Sequence, residues 1–209
     1  MEKKRSLSPE KIIAAAVELA DKEGISELSM RKLAQVLGVE AASLYNHLAD
    51  KEALLSAMVE AVMAEIGPAA PGPDWRLALA RHYIGAHEAL MRHPWASALF
   101  ISRPNMGPNV LARVESVLAV LTGAGFSLVA ADRAWNLLDS LLHGHTLQML
   151  NFPFAPEDYA AQAAANRHLI PVEVFPNLRG LADLVAARQY DGLHPFAPAL
   201  ERVLEGLSP

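Results

Sequence analysis

Small, polar and aromatic side chains crowd the segment from residue 41 to residue 51 of this 209-residue chain. Hydroxyl, amide, imidazole and amine groups bind phosphates and the edges of DNA bases, and small alanines let a helix approach those edges closely. An arginine shortly before the segment adds a group that can form two hydrogen bonds with guanine. The candidate DNA contacts are therefore Arg31, Ala41, Ala42, Ser43, Tyr45, Asn46, His47 and Lys51.

These side chains suit different parts of a DNA duplex. Arg31 is the best candidate for a base contact, and Asn46 can bond a base edge or a phosphate. Tyr45, His47 and Lys51 carry a polar tip or a charge that suits phosphates. A solvated surface position is the alternative for every one of them, and it stays open above all for the serine and the asparagine.

Two short helical patterns position these residues. Ser29 can accept the free amides of a helix that begins next to it. Gly38 supplies the backbone freedom that ends this helix, and a second helix begins near Glu40 and turns Leu44 and Leu48 inward. Helices of about eight residues are not stable alone, so they need a platform.

A longer helix before them provides that platform. Ser8 can cap it, Pro9 suits its first position, and Gly24 can end it. The three helices form a helix-turn-helix unit, and the second short helix of such a unit enters the major groove.

A second group of polar residues interrupts an otherwise apolar helix near residues 128–151. Asn136, Asp139, His143 and Thr146 recur at spacings of three and four, and burial of such groups without partners costs free energy. Further residues come from segments expected to face this helix, and together the candidates for a ligand pocket are His87, Phe100, Arg103, Asn105, Trp135, Asn136, Asp139, His143 and Thr146. The alternative is that these groups satisfy one another or a dimer interface.

Apolar periodicity and proline positions predict an all-α chain. Asp50 can cap a fourth helix that runs to about residue 65. Three prolines between residues 67 and 73 then form a loop, and no segment alternates like a strand. The remaining helices are predicted near residues 74–92, 94–102, 108–124, 128–151, 157–169, 171–188 and 195–207.

Composition limits the class of protein. The chain has no cysteine, which excludes disulfides and thiolate metal sites, and it has no apolar run of about 20 residues and no leader before its first helix. We therefore expect a cytoplasmic protein with no membrane partner.

The net charge of −5 has the wrong sign for a protein that neutralises phosphates over its whole surface. Residues 1–55 hold eight Lys and Arg against nine Asp and Glu, so placement must matter. Lys3, Lys4 and Arg5 form a basic arm that is either a DNA contact or an ordinary solvated terminus.

Catalysis has little support in the sequence. The chain has no Gly-x-Ser-x-Gly motif, no Walker loop and no His-x-x-x-His pair, so we predict that it is not an enzyme. Two rival hypotheses are an enzyme that uses His143 and Asp139, and a dimeric ligand-binding module that has lost DNA recognition. The intact spacing of Arg31, Tyr45 and Lys51 argues against both.

The run LSMRKLAQVLGV followed by SLYNHLADKEALL resembles the DNA-binding domain of the TetR (tetracycline repressor) family of bacterial regulators. The resemblance implies an all-α homodimer with a three-helix DNA-binding domain at residues 1–50. It also implies a helical domain at residues 51–209 that binds a small-molecule inducer and dimerises through a four-helix bundle. Later pieces, HPWASALFISRP and FPNLRGLADL among them, are similar to the tetracycline-repressor branch.

The resemblance makes the function concrete. We expect a ligand-responsive regulator, a repressor released from a palindromic operator on double-stranded DNA by a small, largely apolar effector. Apolar residues on the helices near 128–151 and 195–207 exceed what one buried stripe needs, which favours pairing with a twofold mate. Core packing is the alternative.

One departure from the tetracycline-binding proteins concerns their magnesium ligand. The turn Ser102-Arg103-Pro104 matches the family, but Leu99 and Phe100 stand where those proteins place a histidine. We therefore predict no metal site, no cofactor and no tetracycline–magnesium response.

Overall fold

A computed structural model describes residues 7–209, and the basic arm Lys3, Lys4 and Arg5 lies outside the described residues. The predicted all-α fold is confirmed, because no strand occurs between Leu7 and Pro209. The eleven α-helices of this range are α1 (Pro9–Glu23), α2 (Met30–Leu37), α3 (Ala41–Tyr45), α4 (Lys51–Ile66), α5 (Trp75–Arg92), α6 (Ala96–Ile101), α7 (Pro108–Gly123), α8 (Leu128–Leu150), α9 (Tyr159–Asn166), α10 (Pro176–Ala186) and α11 (Phe196–Gly206).

Three of these helices begin at the side-chain caps that the sequence predicts. The Ser8 hydroxyl accepts the amide of Lys11, and the Ser29 hydroxyl accepts the amide of Lys32 at 3.2 Å. A carboxylate oxygen of Asp50 accepts the amide of Ala53 at 2.8 Å. Each cap satisfies one of the amides that a helix leaves unpaired in its first turn.

The chain forms two compact units, one up to Leu150 together with Leu200–Pro209, and one of Asn151–Ala199. In the first unit α1 packs against α2 and α4, and α4 also contacts α5, α6 and α7. Helix α8 packs against α5, α6 and α7. Helix α4 therefore contacts α1 as well as the helices that surround α8.

In the second unit α9 packs against α10 around a cavity of about 260 Å³. The Arg179 guanidinium reaches Asp183 at 3.1 Å and donates to the carbonyl oxygens of Arg167 and Ile170. The prediction of a helix from residue 171 is wrong, because α10 begins only at Pro176. A proline disfavours helical backbone at the preceding residue, and Phe175 has φ −128° and ψ 61°.

The apolar stripe of α11 is largely buried within the chain. Phe196, Leu200 and Leu204 are each less than 5% exposed. The Arg76 side chain donates to the carbonyl oxygens of Leu204 and Leu207 at 3.0 and 2.7 Å, which satisfies acceptors at the end of this helix. Core packing thus accounts for these three residues of α11.

No helix in the range 7–209 is both long and apolar enough to cross a lipid bilayer.

Candidate nucleic-acid interface and ligand site

The turn between α2 and α3 has the geometry that the glycine predicts. Gly38 has φ 65° and ψ 35°, a left-handed conformation that ends α2, and its amide donates to the carbonyl of Gln35 at 3.2 Å. Leu44 is fully buried and anchors α3, whereas Leu48 is only half-buried. Because α2 and α3 are fixed at their junction and by Leu44, the other face of α3 is free to meet a partner.

Most of the candidate DNA contacts lie on the surface. The exposed residues are Arg31, Ala42, Tyr45, Asn46, His47 and Lys51, while Ala41 and Ser43 are half-buried. Tyr45 is 52% exposed, so its ring and hydroxyl are accessible to a partner outside the chain. Helix α3 ends at Tyr45, so Asn46 and His47 follow the helix rather than continue it.

Two neighbouring basic residues of α2 differ in how they are held. The Lys32 amine forms ion pairs with Glu23 at 2.7 Å and Glu27 at 3.0 Å, and hydrogen bonds from these carboxylates raise the pKa of Lys32. Arg31 is exposed, and in the described part of the chain no hydrogen bond or ion pair engages it. Arg31 therefore keeps its full donor capacity for an external acceptor.

A buried ion pair lies where α5, α7 and α8 meet. The Arg113 guanidinium donates to both oxygens of Asp139 at 2.8 and 3.2 Å, and the Tyr83 hydroxyl donates to Asp139 at 3.0 Å. Burial disfavours the Asp139 carboxylate, but the Arg113 charge and its hydrogen bonds keep the pKa of Asp139 below its usual value. Asp139 is thus a fully partnered carboxylate.

His143 lies one turn further along α8 and belongs to a stacked pair. Its ring is parallel to the Phe100 ring, with centroids 4.8 Å apart, and its Nδ1 is 3.2 Å from the Ser97 hydroxyl. Burial, together with the Arg113 charge, lowers the pKa of His143 to about 4. The imidazole is therefore neutral near pH 7, and its Nε2 finds no hydrogen-bond partner in the described chain.

A second histidine pair follows on the same face of α8. The Nδ1 of His87 is 2.9 Å from the Thr146 hydroxyl, and its ring meets the His145 ring edge-on at 5.4 Å. Burial, and then the nearby His145, lower the pKa of His87. The structure thus brings five predicted ligand residues together along the inner face of α8, namely His87, Phe100, Asp139, His143 and Thr146. We name these five the inner cluster.

Four other predicted ligand residues behave differently. Asn136 is exposed and donates to the Asp132 carbonyl one turn back. The Arg103 guanidinium pairs with Glu52 of α4 at 2.8 Å, and the Asn105 amide donates to the carbonyls of Phe100 and Arg103 within its own turn. Trp135 is half-buried, and its Nε1 has no hydrogen-bond partner among the described residues.

Sequence reasoning missed Arg113, the partner of Asp139. The signal was present, because Val110, Val117 and Leu121 are buried on α7 and Arg113 falls at the position between them. A charged residue inside an apolar stripe predicts a buried partner of opposite charge.

Three glutamates attach α4 to its neighbours. Besides Glu52, the Glu60 carboxylate accepts the amides of Asn109 and Val110 at 2.9 and 3.2 Å and so caps α7. Glu65 accepts hydrogen bonds from Arg92 and from His93, whose Nδ1 lies 2.9 Å from Asp21 of α1. The position of α4 is therefore tied to α1, α5, α7 and the turn after α6.

Across residues 7–209 no three His, Asp or Glu side chains gather in a way that could hold a metal ion.

Comparison with known proteins covers nearly the whole chain. The family model for bacterial regulatory proteins of the tetR family matches residues 12–58, and the model for the tetracyclin repressor-like C-terminal domain matches residues 67–209.

Curated relatives are also regulators. An HTH-type transcriptional regulator of Saccharopolyspora erythraea is 46% identical over 57% of this chain, which spans about half (51%) of that relative. The class D tetracycline repressor protein of Escherichia coli is 31% identical over 96% of this chain and 88% of its own length.

Solved structures agree with these matches. Apo ActR from Streptomyces coelicolor aligns with a TM-score of 0.80 and 26% identity, over 96% of this chain and 94% of ActR. ActR in complex with actinorhodin aligns with the same TM-score and 25% identity, over 97% and 95%. The N-terminal helix-turn-helix, the helical remainder and these matches place the chain in the TetR family of bacterial transcriptional regulators.

Proposed function

We propose that this chain is a ligand-responsive repressor that binds a palindromic operator as a homodimer in the cytoplasm. The observation that carries the proposal is the exposed face of α3 together with Arg31, whose donors have no partner in the described chain. Residues 1–50 are the DNA-binding domain, and residues 51–209 are the domain that binds the effector and dimerises.

In this proposal α3 lies in the major groove. Ala41 and Ala42 approach the base edges, Ser43 and Asn46 bond bases or nearby phosphates, and Arg31 reads a guanine. Tyr45, His47 and Lys51 bind the phosphates that flank the contacted bases.

The proposed effector is a small, largely apolar molecule with an aromatic ring system. The stacked Phe100 and His143 rings offer a flat surface, and neutral imidazoles do not demand a charged ligand. The unpartnered Nε2 of His143 and Nε1 of Trp135 can bond polar groups at the edge of such a molecule. The similar protein ActR has been solved in complex with actinorhodin and with (S)-DNPA, which supports an effector of small-molecule size for this chain. Leu99 offers no metal ligand, so the proposal includes no magnesium and no cofactor.

A route from effector to operator follows from the contacts of α6. Phe100 belongs to this helix, and Arg103 in the next turn holds Glu52 in the first turn of α4. A ligand that displaces Phe100 from His143 shifts Arg103 and, with it, the start of α4 just after the DNA-binding helices. Coupling of about 1–3 kcal/mol between the two sites is enough for regulation.

Dimerisation is proposed through α8 and through the part of α11 outside its buried stripe, where Val203 and the following Leu207 are only half-buried. The side chains of Leu128, Val129 and Leu137 on α8 are between 49% and 66% exposed in the single chain. A twofold mate that covers them gives two copies of α3 about one DNA turn apart, which requires a symmetric site.

Catalysis is not part of the proposal. An enzyme that used His143 and Asp139 would need a carboxylate available to orient the imidazole, but Asp139 is held by Arg113 and Tyr83. The named relatives are regulators.

Footprinting on the DNA upstream of the gene for this chain tests the proposal. We expect protection of one inverted repeat whose half-sites lie about 10 base pairs apart, or a small multiple of that distance. Uniform protection without a repeat, or no protection at low salt, would overturn it.

A further inference from the structure

An open groove runs between α1 and α4 on the first unit, with a volume of about 950 Å³. The groove is shallow, and its floor is apolar. Ile13 and Val17 of α1 and Ala57, Ala61 and Ala64 of α4 form this floor. This volume lies in the range of sites for small organic molecules. None of the inner-cluster residues and none of the candidate DNA contacts lines it, so neither proposed activity uses the groove.

The charge around the groove is acidic. The carboxylates that line it are Glu10, Glu18, Asp21, Glu60 and Glu65, against Lys22 and His93 as basic groups. Four of these carboxylates already bond protein groups. Asp21, Glu60 and Glu65 do so as described above, and a hydrogen bond with Ser8 lowers the pKa of Glu10. Glu18 is exposed, and within residues 7–209 no hydrogen bond or ion pair engages it. An occupant with a positive charge therefore finds an available carboxylate beside an apolar floor.

We propose that this groove is a second ligand site, selective for organic cations with an apolar body. The body of the ligand covers Ile13, Val17 and the alanine floor, and burial of that surface drives binding. The cationic centre lies near Glu18, where the charge stays partly in water and avoids the cost of full desolvation. Anions are repelled by the remaining carboxylates.

The occupant is a small molecule rather than a helix of a partner protein. The lining residues of α1 span about three turns, or roughly 18 Å. A partner helix would need complementary groups along this whole length, whereas the groove offers one available carboxylate, Glu18, which suits a single cationic centre. A compact cation with aromatic arms fits within the groove.

Calorimetric titration of the full chain with tetraphenylphosphonium tests the proposal. We expect saturable binding of one cation per chain, and at least tenfold weaker binding of triphenylphosphine oxide, which has similar arms and no net charge. Equal affinity for both compounds, or no saturable binding of the cation, would overturn it.

Variants locate the cation. Ala61→Phe fills the floor and is expected to weaken binding more than tenfold, and Glu18→Gln is expected to weaken it three- to tenfold. Ala119→Phe and Glu115→Gln make the same changes at exposed positions of α7 and should bind like the parent.

Two further outcomes would count against the groove. If Ala61→Phe binds the cation unchanged, the ligand does not occupy the floor. If Phe100→Ala loses binding and Ala61→Phe keeps it, the cation belongs to the inner cluster. Circular dichroism of each variant shows whether it is folded. Footprinting without the cation tests operator binding separately, so the proposed function and the proposed cation site can fail independently.

Discussion

The proposed DNA-binding face, which consists of Arg31 and the exposed side of α3, and the inner cluster place polar side chains in opposite circumstances. On the DNA-binding face Arg31 and Tyr45 are exposed, and Arg31 has no partner in the described chain. In the inner cluster Asp139 is bonded by two side chains, and His143 lies against Ser97 and Phe100. The side chains of the proposed DNA-binding face are available to an external partner, whereas those of the inner cluster stabilise the fold. Substitutions should therefore separate into those that change DNA binding and those that first change stability.

The largest expected effect is on the buried ion pair. Arg113→Ala leaves Asp139 charged and without its guanidinium, and we expect a loss of about 3–5 kcal/mol in the free energy of unfolding. Urea denaturation at fixed protein concentration measures it, since a dimer makes stability depend on concentration.

A matched double variant sharpens that test. Arg113→Met with Asp139→Leu removes both charges and keeps apolar volume, so it should recover most of the lost stability. A double variant as unstable as Arg113→Ala would mean that packing of the arginine stem, rather than the charge, carries the effect.

The second largest expected effect is a decrease in the free energy of unfolding at acidic pH. His82 and His143 have pKa values of about 4 in the folded chain, because burial and the Arg113 charge disfavour their protonated forms, against 6.5 for an ordinary histidine. Between these values the unfolded chain binds more protons than the folded chain. The stability that the neutral rings contribute is complete above about pH 6.5 and is lost as the pH falls towards 4, at about 1 kcal/mol per pH unit for each ring.

Thermal or urea unfolding between pH 7 and pH 4.5 measures this slope. His143→Gln should remove about half of this slope, because His82 still contributes, while His168→Gln, at an exposed position, should leave it unchanged. A parent protein whose stability is constant over that range would contradict the assignment of two neutral buried rings.

A substitution on the proposed DNA-binding face should change operator affinity and leave stability unchanged. Arg31→Ala is expected to lose about 1–3 kcal/mol of operator affinity and the preference at one base pair, with an unchanged free energy of unfolding. Arg81→Ala, which changes an exposed arginine on α5, is the control and should bind the operator normally. An even loss of affinity over all DNA sequences would instead assign Arg31 to a phosphate.

The smallest expected effect concerns the start of α4, between the two regions. Asp50→Ala removes the acceptor for the Ala53 amide and should lower the free energy of unfolding by about 1 kcal/mol. Asp50→Asn keeps an acceptor and should lose less. An equal loss in both variants would show that the carboxylate charge, not the cap, matters.

The sequence predicted local structure better than it predicted contacts. Ser29, Gly38 and Asp50 act within three or four residues of themselves, so their types alone located helix ends. The start of α10 was predicted wrongly because Pro171 suits the beginning of a helix as well as Pro176 does, while Pro176 disfavours helical backbone at Phe175.

The same difference between local structure and contacts holds for the candidate site residues. The exposure of Tyr45 could be predicted, because an outward face of a short helix follows from spacing. The partner of Asp139 could not be named, since Arg113 lies on another helix and only the fold brings the two together. Arg103 was expected to line the pocket, but its guanidinium pairs with Glu52 on α4. Arg103 lies in a turn after α6, where helical periodicity does not indicate the direction of a side chain.

The cap that Glu60 provides for α7 also restricts which residue can occupy position 107. A β-carbon at Gly107 would overlap the Glu60 side chain, although Gly107 itself has an ordinary negative φ. Any larger residue there would push the carboxylate away from the amides of Asn109 and Val110. Positions 60 and 107 should therefore co-vary among aligned homologues, with glycine retained wherever glutamate is kept.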